Sequence, residues 1–303
     1  MEIAIQTRGS YQELLKVARW AEAEGLAAIA VPDHYLAGSD LTEPAYDNVI
    51  HLAGLARETE RIELVDLVSP ITFRHPAIYA KTAVTLAEMS NGRFVLGLGT
   101  GWLEEEHRVF GFEFPSMSER FEMLSEALAY TAAFRSGEGF EGKHYRLEAF
   151  DSQPKPPFRV VVGGSGAVKT PNLTGRFADE FNLFPGKAGD IPARIAVCQR
   201  AAEEAGRRPG DVVLSYTTPT FAGTDEASYM EHMEKEAASR SMDVPELESR
   251  LSRRGIPYGF GEGLAERIQP IVSAGITRLY LQIMLGDITT AAKLVRPYQQ
   301  LGV

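Results

Sequence analysis

A single cysteine, Cys198, is too few for an intrachain disulfide or a thiolate zinc cluster. It lies in the helical stretch PARIAVCQRAAEEAG, where it reads as a small packed hydrophobe. No run reaches the roughly 18 to 20 apolar residues that span a bilayer. The start, MEIAIQTRGSYQELLK, reads as strand then helix rather than as a basic region with an apolar signal core, so a cytoplasmic protein is expected. Basic charge is short: 31 Lys and Arg face 41 Asp and Glu, a formal charge of −10. That balance argues against nucleic acid and against an anionic membrane surface as partners, since both need a basic field.

Two nucleotide signatures are missing as well. No GxxxxGK[ST] supports a nucleotide-hydrolysing P-loop, and no GxGxxG with an acidic residue about 20 positions on supports an NAD-linked Rossmann enzyme. No proline-rich or low-complexity linker divides the 303 residues, so one domain over 1–303 is expected, with insertions near 138–157 and 218–262.

What is present is alternation. Apolar or β-branched runs at 2–6, 27–31, 62–68, 93–99, 158–163, 179–184, 212–217 and 278–283 take turns with amphipathic helical runs. That is the pattern of βαβ units around a parallel sheet. Eight such strands fit a closed α/β (β/α)₈ TIM barrel better than an open doubly wound sheet, with insertions at the C-terminal face. In the second insertion, SYMEHMEKEAASRSMDVPELESRLSRRG reads as a charged solvated helix, or as a lid over the active face.

Functional groups of a barrel sit after the C-terminal ends of its strands, and three ends stand out. In IAVPDHYL, Pro32 closes the second strand and Asp33 and His34 follow it. A histidine titrates near neutrality and a neighbouring carboxylate can orient it, which suits proton transfer to a ligand, although turn capping and rim packing explain the pair too. In VLGLGTGWLEEE, Gly97, Gly99 and Gly101 would let a flat ligand or a phosphate approach the backbone. Glu104 to Glu106 begin a helix, where acidic residues are favoured; His107 beside them is no metal signal, because adjacent helical residues point apart, and no metal is expected. In RVVVGGSGAVKTPNLTG, glycines lead into a helix start whose amides can hold a phosphate, with Lys169 and Thr170 adding charge and hydroxyl. His51, His144 and His232 receive no role.

The stretches AVPDHYL, SPITFRHPAIYAKTAVTLAEMSNGRFVLGLGTGW, FGFEFPSMSERFEMLSEAL, GKHYRLEAF and VVVGGSG with ADEFN, in that order over about residues 1 to 185, resemble the bacterial luciferase-like family. The likeness is to its short branch using the deazaflavin coenzyme F420, and a weaker match lies at SAGITRLYLQ. The resemblance implies a TIM barrel and hydride transfer between F420 and a small organic substrate, with His34 as proton donor or acceptor. It places Asp33, Ser69, Thr100 and Gly101 by the deazaflavin ring, and Gly163, Gly164, Gly166 and Ala167 on the cofactor phosphate. It further implies a homodimer and a non-prolyl cis peptide at Asp66-Leu67 or Leu67-Val68. An FMN-dependent monooxygenase and a non-catalytic deazaflavin-binding protein are the alternatives. Sugar-phosphate dehydrogenases of this branch carry a catalytic glutamate directly after GTG where this chain has Trp102, so that reaction is not expected. Asp66 has no assigned role.

Overall fold

A computed structural model describes all residues except 38–42, 152, 156, 186–189, 285–286 and 303. Eight strands form the barrel wall of the central sheet: β1 Glu2–Gln6, β2 Ala28–Val31, β3 Glu63–Asp66, β4 Phe94–Gly99, β5 Arg159–Gly164, β6 Glu180–Leu183, β7 Val213–Pro219 and β8 Arg278–Gln282, with the short Ser69–Pro70 strand added beside β4. Every neighbouring pair in chain order is parallel, and β8 closes on β1 through Glu2 opposite Arg278 and on to Gln6 opposite Gln282. The closed (β/α)₈ barrel expected from the alternation is therefore present, with each of the eight apolar runs supplying one stave.

The helices are α1 Tyr11–Ala23, α2 Asn48–Glu58, α3 Pro76–Met89, α4 Glu104–Phe110, α5 Met117–Ser136, α6 Lys169–Phe177, α7 Asp190–Glu204, α8 Glu226–Ser239, α9 Val244–Arg253, α10 Gly261–Ser273 and α11 Ile288–Gln300. Their ends follow local chemistry. Ser10 and Glu13 form a capping box at α1, His75 accepts the Ala77 amide just before Pro76 opens α3, and α5 stops at Gly137 with φ +84°.

Two apolar layers result. The larger lies between strands and helices, around residues such as Leu14, Leu52, Tyr79, Phe94 and Phe181. The smaller fills the barrel, where Ala4, Ala28 and Ala30 leave room for Leu67 and Tyr280. At the N-terminal mouth Arg278 bonds Glu2 and Glu63 at 2.7 Å each and approaches Glu180 at 3.4 Å, so a buried cation is matched by carboxylates. Toward the other mouth the interior turns polar: Gln282 donates to Gln6 at 2.9 Å, and Gln6 donates to the Leu67 carbonyl at 2.7 Å.

The two segments read as insertions have structure of their own. The first contains an antiparallel pair, Phe140–Glu141 with Arg146–Leu147, tied to α5 by Glu126, whose carboxylate accepts the amides of Lys143, His144 and Tyr145. The second comprises α8 and α9 over a cluster of its own, including Phe221, Tyr229, Met233, Leu247 and Leu251. Cys198 is buried in α7 and burial pushes its thiol up to about 11, in keeping with a packed, unreactive side chain. Among the described residues no helix is long and apolar enough to cross a membrane.

Candidate functional site

The C-terminal mouth opens into a cavity of about 960 Å³ lined by residues following most of the strands, among them Arg8, His34, Val68, Thr100, Trp102, Gly164, Thr217 and Arg254. Among the described residues no aspartate or glutamate lines it, while Arg8 and Arg254 do, against an overall charge of −10. A cavity so lined favours an anionic ligand.

The floor is the segment after β3. The Leu67-Val68 peptide is cis, at one of the two expected bonds, and Val68 nestles against three glycines. A Cβ on Gly97 would meet the Asp66 carbonyl oxygen at 1.8 Å and Val68 Cγ1 at 2.9 Å; one on Gly99 would meet Val68 Cγ2 at 2.9 Å, and one on Gly163 would meet Val68 Cγ1 at 3.2 Å. The expectation that Gly97 and Gly99 serve close approach of a ligand is thus corrected in part. Gly97 does not line the cavity, and both glycines make room for neighbouring backbone and for Val68.

Asp33 and His34 leave β2 in different directions. His34 lines the cavity, and its Nδ1 lies 3.0 and 3.2 Å from the two carboxylate oxygens of Glu106 in α4. Trp102, 70% exposed, meets the imidazole edge-on at 5.6 Å between ring centres. Asp33 is fully buried and does not line the cavity. Its Oδ2 accepts from Ser69 at 2.6 Å and from Arg74, and Arg74 also donates to Tyr35 and Asp47 at 2.8 Å. Ser69 is likewise buried below the floor, where its hydroxyl also lies 2.7 Å from Asp66 Oδ2. Asp66, unassigned from sequence, is completely buried, and burial beside Asp33 holds its carboxyl well above the usual range.

Across the mouth, Gly163, Gly164, Ser165 and Gly166 line the cavity with Thr170, whereas Ala167 and Lys169 stay outside it. Lys169 instead lies over the Phe121 ring at 5.1 Å. Helix α6 starts directly on this loop without a side-chain cap, leaving its first amides for a ligand. Thr100 and Gly101 also line the cavity.

Sequence reasoning missed several residues. Glu106, which by its position reads as helix-start stabilisation, is fully buried against His34 and the Tyr35 amide. His51 lines the cavity, where burial lowers its basicity. Arg254, just past α9, brings the second insertion to the cavity. No local signal marked Glu106, since Trp102 lies before the helix that begins at Glu104 and helical spacing does not relate the two. His107 turns the other way, 2.6 Å from Thr72 Oγ1 and 2.8 Å from the Leu103 carbonyl, and among the described residues no group of three potential metal ligands forms.

Comparison with known proteins gives the chain's family and fold. The chain is 28% identical over 284 residues to an F420-dependent glucose-6-phosphate dehydrogenase of Kineococcus radiotolerans, covering 86% of this chain and 83% of the relative. Its fold matches an F420-dependent secondary alcohol dehydrogenase solved with an F420-acetone adduct, with a TM-score of 0.80, 20% identity and 97% of each chain covered. It matches the monooxygenase RslO1 of Streptomyces bottropensis with a TM-score of 0.79 and 20% identity, over 99% of this chain and 98% of that one. The profile of the luciferase-like monooxygenases matches residues 2–303, and the chain belongs to that family.

Proposed function

We propose that this protein is a two-electron oxidoreductase that transfers a hydride between coenzyme F420 and a small organic substrate, with His34 moving the accompanying proton. The carrying observation is the cavity itself. It joins a carboxylate-anchored histidine on one side to an uncapped, glycine-rich helix start on the other, and has no acidic lining residue among the described residues. The relative of Kineococcus radiotolerans and the alcohol dehydrogenase fold neighbour, both named for F420, support that choice of cofactor.

The residues present fit such a group. Gly163, Gly164 and Gly166 with Thr170 would hold its phosphate; Val68, Thr100 and Gly101 would bound its ring. When bound, the deazaflavin supplies the hydride chemistry at its central ring carbon. The chain would orient the ring and handle a proton at His34 Nε2. Asp33 and Ser69 act from below the floor, by holding the ends of β2 and β3. Assembly as a homodimer belongs to the same reading and is checked by light scattering.

Fluorescence titration with F420 and with FMN tests the proposal. Preferential F420 binding, with hydride transfer lost in His34→Ala, is expected. Preferential FMN binding with oxygen consumption would make the protein a monooxygenase, and F420 binding without turnover of any alcohol, carbonyl, imine or enone would make it a binding protein.

A further inference from the structure

Glu106 is buried completely, and its side-chain partners among the described residues are the His34 ring and the Tyr35 amide, with no lysine or arginine. A carboxylate only accepts hydrogen bonds, so the neutral imidazole carries its proton on Nδ1. Nε2 makes no hydrogen bond among the described residues and is left with its lone pair at the cavity. The ring cannot easily turn over to exchange the two nitrogens. Trp102 packs edge-on against it, and the carboxylate spans both Oε1 and Oε2 toward the same nitrogen.

We propose that Glu106 is the positioning residue of His34: from α4 it fixes the Nδ1–H tautomer and so makes Nε2 the atom that exchanges a proton with substrate. The inference rests on the hydride-transfer reading for its purpose, though not for its geometry. In the oxidising direction the substrate C–H bond breaks and its electron pair leaves as hydride to oxidised F420. The O–H proton passes to Nε2 and the C–O bond becomes a carbonyl. The dyad then changes from net −1 to neutral, so the buried carboxylate offsets the imidazolium where little water can. In the reducing direction Nε2 returns that proton. Glu106 does this from a place four residues beyond Trp102, so the GTG loop still delivers a carboxylate to the site, through the histidine instead of directly.

Imidazole ¹⁵N spectra above neutral pH test the assignment, with His34→Ala identifying the His34 signals. Melting temperatures and F420 titrations accompany each variant. Wild type is expected to show protonated Nδ1 and unprotonated Nε2. Glu106→Gln, whose amide oxygen still accepts, keeps that tautomer. Glu106→Ala loses it, the Nε2–H form becoming the major one, while the F420 dissociation constant moves less than threefold. Glu106→Leu, which refills the volume, serves if the alanine variant does not fold. A folded alanine or leucine variant that retains Nδ1–H overturns the positioning role, as does a glutamine variant that loses it. Failure of every protein to bind F420 would overturn the hydride-transfer reading and leave the tautomer result to be judged by its own spectra.

Discussion

Replacing Asp66 with asparagine should leave this protein as stable as wild type at low pH and more stable at neutral pH. Ser69 has one hydroxyl proton and two carboxylate neighbours, Asp33 Oδ2 at 2.6 Å and Asp66 Oδ2 at 2.7 Å. It can donate to one of them, so the other must bring its own proton. Asp33 has Arg74 against it, whereas Asp66 has only the Asn48 amide at 2.8 Å and Ser69. The proton therefore belongs on Asp66, which donates to Ser69, which donates to Asp33. An unfolded aspartate titrates near 3.9, so above about pH 4 the folded state holds a proton that the unfolded state has lost. Stability then falls as pH rises toward the folded value, by up to about 1.4 kcal/mol per pH unit. Asparagine presents an N–H to Ser69 and a carbonyl to Asn48 in the same places and has nothing to titrate. Between pH 5 and pH 7 the variant should gain up to about 2.7 kcal/mol on wild type. Urea unfolding followed by tryptophan fluorescence at pH 5, 6 and 7 measures this. Equal slopes for both proteins would mean that Asp66 is ionised in the fold, and the proton count at Ser69 would fail.

Asp33→Asn goes the other way, because Arg74 keeps only Asp47 as counter-charge, and a loss of about 3 kcal/mol in the same assay is expected. His34→Ala should leave F420 binding within a few-fold and reduce hydride transfer about 10²- to 10⁴-fold, the usual share of a proton-transferring side chain, read by F420 absorbance. Gly97→Ala should unfold the protein or lower its melting temperature sharply, since the added methyl would sit 1.8 Å from the Asp66 carbonyl oxygen; an unchanged melting temperature would contradict the packing of β4 on β3. Gly166→Ala crowds Thr170 Oγ1 at 2.9 Å on the glycine-rich loop proposed to hold the cofactor phosphate. It should weaken F420 at least tenfold with little change in melting temperature.

The amino-acid sequence alone determined the barrel. Period, length and spacing of the apolar runs report which faces are buried, and eight such runs in alternation with helices have one good way to close. Helix ends were legible for the same local reason: Ser10, Pro76 and Gly137 act within a few residues of themselves. The glycine-rich side of the cavity was legible too, because GGSG and the start of α6 lie close together in the chain. What the tertiary structure alone decided is which way adjacent side chains face and what meets them across the barrel. Asp33 and His34 are neighbours in sequence, yet one turns under the floor to Ser69, 36 residues away, and the other into the cavity to Glu106, 72 residues away. Hydrogen bonds and ion pairs over such separations are made by the closure of β2, β3 and β4 side by side, and no local preference of the chain encodes them. For that reason the carboxylate beside His34, the burial of Asp66 next to Ser69 and the arrival of Arg254 at the cavity became visible only in the folded protein.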